Sequence, residues 1–170
     1  IPSYKIRNRN YLKAQFSRFY LHEYFPGYEN YFWLDSDTWI NCPETFQHYL
    51  KGVNEKGFAI CPQIDRASSK LLNIKWFFNL PRKINSINYK NISKSISKNM
   101  GKKYAGHYTL NAGCFGYSKN YDGLSVIHKN LKEASKKGRT FGSDQVALAL
   151  SAFEDNLEFE FLPSYCNWIC

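Results

Sequence analysis

The sequence predicts an α/β domain with a mainly parallel sheet flanked by helices. Stretches of helical periodicity alternate with short apolar runs of strand type. Those runs are punctuated by Pro and Gly, as at Pro26-Gly27 and Pro62. The 170 residues, 44% hydrophobic and 18% aromatic, suffice for one domain with a real core and not for two.

Each element has its own signal. Residues 11–25 read as a helix that is apolar on two sides, with Leu12, Phe16 and Phe19 on one stripe and Ala14, Arg18 and Leu21 on another. Pro26 and Gly27 stop it, and Tyr31 to Leu34 form a strand. A helix is expected to start near Pro43 with Glu44 in its first turn, and Phe58 to Cys61 form a strand that Pro62 ends. Lys83 to Lys103, rich in Lys, Asn, Ser and Ile, shows little periodicity and reads as a long surface loop. Thr109 to Tyr117 is a strand interrupted by small residues, and Leu124 to Lys137 a basic amphipathic helix. Ser143 or Asp144 is placed to N-cap a helix running to Phe153, and Phe159 to Leu162 make the last strand.

The formal net charge is +9, which suits nucleic acid, an anionic membrane surface or a negatively charged substrate, and does not choose among them. Lys83, Lys90, Lys94, Lys98, Lys102 and Lys103 lie together with no acidic residue among them. No stacking motif accompanies them, so nucleic acid is not the expected partner; two readings of the segment stand, peripheral docking on an anionic membrane and a solvated loop that reflects a Lys-rich composition. No apolar run is long enough to cross a membrane. Five scattered cysteines form neither a disulfide framework nor a zinc spacing, which points to reduced thiols in a cytoplasmic setting.

The densest chemistry lies in Tyr31 to Ile40, YFWLDSDTWI. Alternate residues of a strand face the same way, so Asp35 and Asp37 point together where the strand frays, and Ser36 points away. Paired carboxylates at a strand end suit a hard divalent cation, Mn2+ or Mg2+, shared with substrate phosphate. In a sheet of this kind, ligands gather at the C-terminal strand ends.

In chain order the sequence presents Arg18, then Leu34-Asp35-Ser36-Asp37-Thr38, Asn111-Ala112-Gly113, Asp144-Gln145, and Leu162-Pro163 with Asn167. This order resembles the family-eight glycosyltransferases, retaining nucleotide-sugar enzymes of the GT-A fold. The resemblance implies a Rossmann-like GT-A domain, incomplete at both ends: the family's nucleotide-binding strand before the Arg helix, and its later His, Gly and Lys on the diphosphate, lie outside residues 1–170. It implies that Asp35 and Asp37 hold the metal ion, and that Arg18, Ser36, Asn111, Ala112, Gly113 and Asp144 contact the donor. Asp144 and Gln145 would flank the sugar ring as the catalytic pair, and Asp65 and His107 are further substrate contacts. The donor would be a UDP-sugar, and the acceptor a glycan or a lipid-linked molecule at the inner face of a membrane. Two other readings stand beside it: a basic module that binds RNA or anionic lipid through residues 83–103 and Trp76-Phe77-Phe78, and a phosphatase of the haloacid dehalogenase type.

Overall fold

The structure, a computed structural model, describes residues 12–64, 72–137 and 141–167. In chain order the elements are α1 (Leu12–Ser17), α2 (Leu21–Tyr24), β1 (Asn30–Leu34), α3 (Thr45–Lys56), β2 (Phe58–Gln63), β3 (Leu72–Phe77), β4 (Leu80–Ser86), α4 (Ile87–Ser95), α5 (Lys98–Lys103), β5 (Thr109–Ser118), α6 (Leu124–Ser135), α7 (Ser143–Phe153) and β6 (Glu160–Phe161), followed by a 3-10 turn at Ser164–Asn167. Strands β1, β5, β2 and β6 form one sheet in that order, and β3 and β4 form a separate hairpin.

The sheet is mixed rather than mainly parallel. β5 runs antiparallel to both neighbours, and only β2 and β6 pair in parallel. β1, β2 and β6 therefore point the same way with β5 reversed between them, because the chain returns to the sheet through α4 and α5 at the edge where β1 and β2 end. Composition reports that a segment is a strand, not its direction.

Alternation along the strands builds two cores. Phe58, Ile60, Phe115 and Tyr117 face α1, α6 and α7, where they meet Phe16, Phe19, Ile127, Leu131 and Leu148. On the opposite face Ala59, Cys61 and Cys114 meet Tyr49 and Val53 of α3, with Leu162 and Cys166. Each fully buried large side chain stabilises the fold by roughly 1.5–3 kcal/mol relative to exposure.

Three local expectations are corrected. Residues 83–103 are not a loop: after β4 they form α4 and α5, with Ser86 and Ser97 capping through side-chain oxygens that accept from Tyr89 N and Met100 N. In α4 Ile92 is fully buried, and α5 packs through the partly buried Met100 and the buried Gly101, so these short helices hold without a long apolar stripe. The first helix breaks after Ser17, since Gln15, Phe16, Arg18, Phe19 and Tyr20 are all buried, more of the circumference than one regular stripe can bury; Arg18 lies just past α1. The N-cap of α7 is Gly142, in the left-handed region at φ 80, with Ser143 and Asp144 in the first turn.

β2 runs through Pro62, at a local cost that shapes the site. Between Ile60 and Pro62 the partner residues on β5 jump from Phe115 to Leu110. Pro62 has no N–H to donate, and Asn111, Ala112 and Gly113 bulge away from β2.

His128 of α6 stacks on Tyr20 at 4.0 Å, lies parallel to His22 at 6.2 Å and donates from Nε2 to the Phe19 carbonyl at 2.8 Å. Burial holds it below its ordinary 6.5, an effect that the Phe19 carbonyl and Glu23 partly offset. The unfolded chain thus takes up this proton first as pH falls, so its contribution is complete above 6.5 and is lost as pH falls through the lowered folded value. Thermal melts from neutral pH downward should show a steeper decline for the wild-type chain than for His128→Gln, which keeps an N–H for Phe19. Parallel declines would remove His128 as the cause.

Candidate functional site

The bulge of β5 opens the sheet edge at which β1 ends. The ladder continues one residue past β1, with Asp35 N donating to Gly113 O at 2.8 Å, which seats the Asp35 carboxylate against the bulge. From above comes Arg18, 8% exposed, and from the side the first turn of α7 brings Asp144, 6% exposed.

The Arg18 guanidinium joins them. Nη1 donates to Ala112 O at 2.7 Å and lies 3.0 Å from Asp144 Oδ2, while Nη2 lies 3.2 Å from Asp35 Oδ1. Its plane sits 5.0 Å from the Trp33 ring, and Trp33 Nε1 donates to the same Asp35 oxygen at 2.7 Å. A planar fork is required here, because a lysine ammonium cannot address two carboxylates and a carbonyl while lying along an indole. Among the described residues, Arg18 Nε is buried without a hydrogen-bond partner.

Asp144 is held as firmly. Its Oδ1 accepts from Gln15 Nε2 at 2.7 Å and from Gln145 N at 2.9 Å. Burial pushes its carboxyl above the ordinary value, while Arg18, Gln145 and Gln15 pull it back. With three donors on about four lone-pair sites, one acceptor position remains on Oδ2.

These groups line a cavity of about 300 Å³, together with Asn111, Gly113, Phe141, Gly142 and Gln145. A Cβ on Gly113 would sit 3.0 Å from Asp35 Oδ2 and 3.1 Å from Asn111 Oδ1, so the missing side chain leaves two oxygens converging on one small space. A larger cleft of about 500 Å³ lies where β5 ends and β1 begins, but its charged residues Glu29, Lys56 and Asp122 are exposed and nothing ionisable is buried there. The chemistry concentrates at the smaller one.

Of the residues expected from the sequence, Arg18, Asp35, Asn111, Ala112, Gly113, Asp144 and Gln145 are brought together around this cavity. Ser36 and Asp37 are exposed on the turn that Thr38 N closes onto Asp35 O at 3.0 Å; of the two acids expected to point together only Asp35 lines the cavity, because the chain turns directly after β1 instead of continuing as a strand. His107 is placed elsewhere: it packs 4.6 Å from Phe153, nine residues and roughly 13 Å along α7 from Asp144. Asp65 lies outside the described residues. Asn167 lies in the 3-10 turn Ser164–Asn167, with Nδ2 buried and without a partner among the described residues, and does not line the cavity.

Sequence reasoning missed Gln15, Trp33 and Asn91. Gln15 precedes Arg18 by one helical turn and Trp33 precedes Asp35 by two strand positions, so both share a face with a residue already singled out. Asn91 sits in the segment read as a loop; it donates to Gln145 Oε1 at 3.4 Å and fills the space beside Gly142. Among the described residues no three His, Cys, Asp or Glu side chains group as a metal-holding cluster.

Compared with protein-family models, with curated proteins and with solved structures, the chain matches none of them.

Asp144→Ala leaves Arg18 with Asp35 as its only carboxylate and should lower unfolding free energy by about 3 kcal/mol in denaturant titrations. Asp144→Asn retains the Oδ1 acceptor and should cost less than half as much. Equal losses would show that the Gln15 and Gln145 bonds contribute nothing.

Proposed function

We propose that the chain carries the donor site of a metal-dependent glycosyltransferase of the GT-A type, moving a hexose from a nucleoside-diphosphate sugar, UDP-sugar being the expected donor, to a glycan or lipid-linked acceptor with retention of configuration. One observation carries the reading: Arg18, Asp35, Asn111 to Gly113, Asp144 and Gln145, far apart in sequence, converge on one cavity at the C-terminal end of β1. The GT-A assignment is supported by β1, β2 and β6 pointing the same way, with α3 crossing between β1 and β2.

Charge supports the requirement for a cation. Arg18 against Asp35 and Asp144 leaves the lining one negative charge in excess. A diphosphate enters such a field only with a counter-ion. The donors that line the cavity are oxygens, Asp35 Oδ2 and Asn111 Oδ1, the latter also accepting from Gly113 N; oxygens suit Mg2+ or Mn2+ rather than a soft metal, and Asp37, exposed on the turn after β1, is the expected second carboxylate. Two carboxylates completed by substrate phosphate are the usual way such ions are held, so the residues fit the group. When bound, the ion would neutralise charge on the departing diphosphate.

The chain's own residues then divide the work. Arg18 fixes the Asp35 and Asp144 carboxylates. The remaining acceptor position on Asp144 takes a sugar hydroxyl, and Gln145 stands near the anomeric carbon. The acceptor hydroxyl attacks that carbon on the face from which the diphosphate leaves: the new C–O bond forms as the bond to phosphate breaks, and the hydroxyl proton passes to the departing phosphate oxygen. Asp144, with Oδ1 held by Gln15 and Gln145 N and Oδ2 paired with Arg18, serves as a hydrogen-bond acceptor rather than as a covalent nucleophile.

Donor hydrolysis by the purified chain, assayed with a panel of UDP-hexoses and Mn2+, tests this without knowledge of the acceptor. Asp35→Ala should abolish turnover, and Asp144→Asn should lower it on the order of 100-fold with the fold intact. Metal-independent turnover, or full activity in both variants, would refute the assignment.

A further inference from the structure

The β3–β4 hairpin exposes what the rest of the fold hides. Trp76 is 61% exposed, Phe77 58%, Phe78 87% and Leu80 72%, all at its tip. Phe77 and Phe78 meet edge to face at 4.8 Å, and Arg82 lies 5.9 Å from the Phe77 ring. Phe78 holds a left-handed backbone at φ 51, which a bulky residue adopts only at a cost of about 1–3 kcal/mol. At this strained position the Phe78 ring is the most exposed of the three aromatics at the tip. Behind the tip, Lys75 and Lys83 face each other across the strands. Like charges directly opposite destabilise a ribbon in water, and two strands alone are already marginal.

Apolar wedge and basic collar have one common remedy. We propose that the hairpin tip inserts into an anionic phospholipid surface, with Trp76, Phe77, Phe78 and Leu80 entering the headgroup boundary and Lys75, Arg82 and Lys83 pairing with lipid phosphates. Charge complementarity selects this occupant: residues 72–103 contain no Asp or Glu, so a second copy of the same surface would be repelled, whereas an anionic surface relieves the Lys75–Lys83 opposition. Nucleic acid is the weaker fit, since the rings pack on each other at a turn instead of forming a flat platform along a strand. The proposal does not depend on the donor site and is tested without nucleotide or metal.

The full chain is sedimented with vesicles of zwitterionic lipid alone and with vesicles containing anionic lipid, at low and high salt, with single-stranded RNA as competitor. Expected is binding to anionic vesicles only, weakened by salt and lowered about fivefold for each of Lys75→Gln and Lys83→Gln. Phe78→Gly should bind less while folding at least as stably, because glycine relieves the positive φ; a melting curve confirms that the fold is retained. Equal partitioning with both vesicle types, no binding to anionic vesicles, unchanged binding by Phe78→Gly, or displacement by RNA would each overturn the proposal.

Discussion

The placement of one guanidinium organises the site. Arg18 ties four elements that are distant in sequence: the end of α1, the end of β1 through Asp35, the bulge of β5 through Ala112 O, and the start of α7 through Asp144. A buried cation with no partner would be prohibitive, and the buried Asp144 carboxylate beside the half-buried Asp35 would be repelled without a cation between them. Only the assembled set is tolerable, so each element's position is conditioned on the others. Trp33 closes the arrangement by covering the guanidinium face and donating to Asp35.

The cavity beside this network follows from a defect in the ladder. Pro62 cannot donate to β5, and at the bulge Asn111 to Gly113 are released from pairing with β2. Small residues keep that opening unfilled: a side chain on Gly113 would occupy the space into which Asp35 and Asn111 direct oxygens. The Asp35 carboxylate is thus seated against the bulge by the Asp35 N to Gly113 O bond, Asp144 is held by Gln15, Gln145 N and Arg18, and the lining retains a negative excess that favours cations and, under the proposed reading, cation-bound diphosphate. The binding groups are preorganised before any ligand arrives.

Much of this was legible in the sequence, for identifiable reasons. β1, β2, β5, α3, α6 and α7 carry strong apolar periodicity or clear stops, and Asp35 could be placed at a strand end because an apolar run leads into it. Strand direction was not legible, since it depends on where the chain re-enters the sheet, and α4 and α5 decide that. Those helices were missed because their stability rests on serine caps and single buried anchors such as Ile92, which leave no stripe to count. Asn91 was lost with them. His107 was judged by its closeness in sequence to Asn111, yet four residues of extended strand span roughly 13 Å, enough to carry it to the far end of α7. Gln15 and Trp33 were within reach of the same face arguments that identified Arg18 and Asp35.

The most direct test of the central claim, that the Arg18-centred cavity accepts a nucleoside diphosphate only together with a divalent ion, is calorimetric titration of UDP into the chain with Mn2+ and with chelator. The account predicts saturable binding in Mn2+ that disappears with chelator and is lost in Gly113→Ala, whose added methyl closes the space between Asp35 and Asn111. Binding of equal strength in chelator, or undiminished binding by Gly113→Ala, would contradict it.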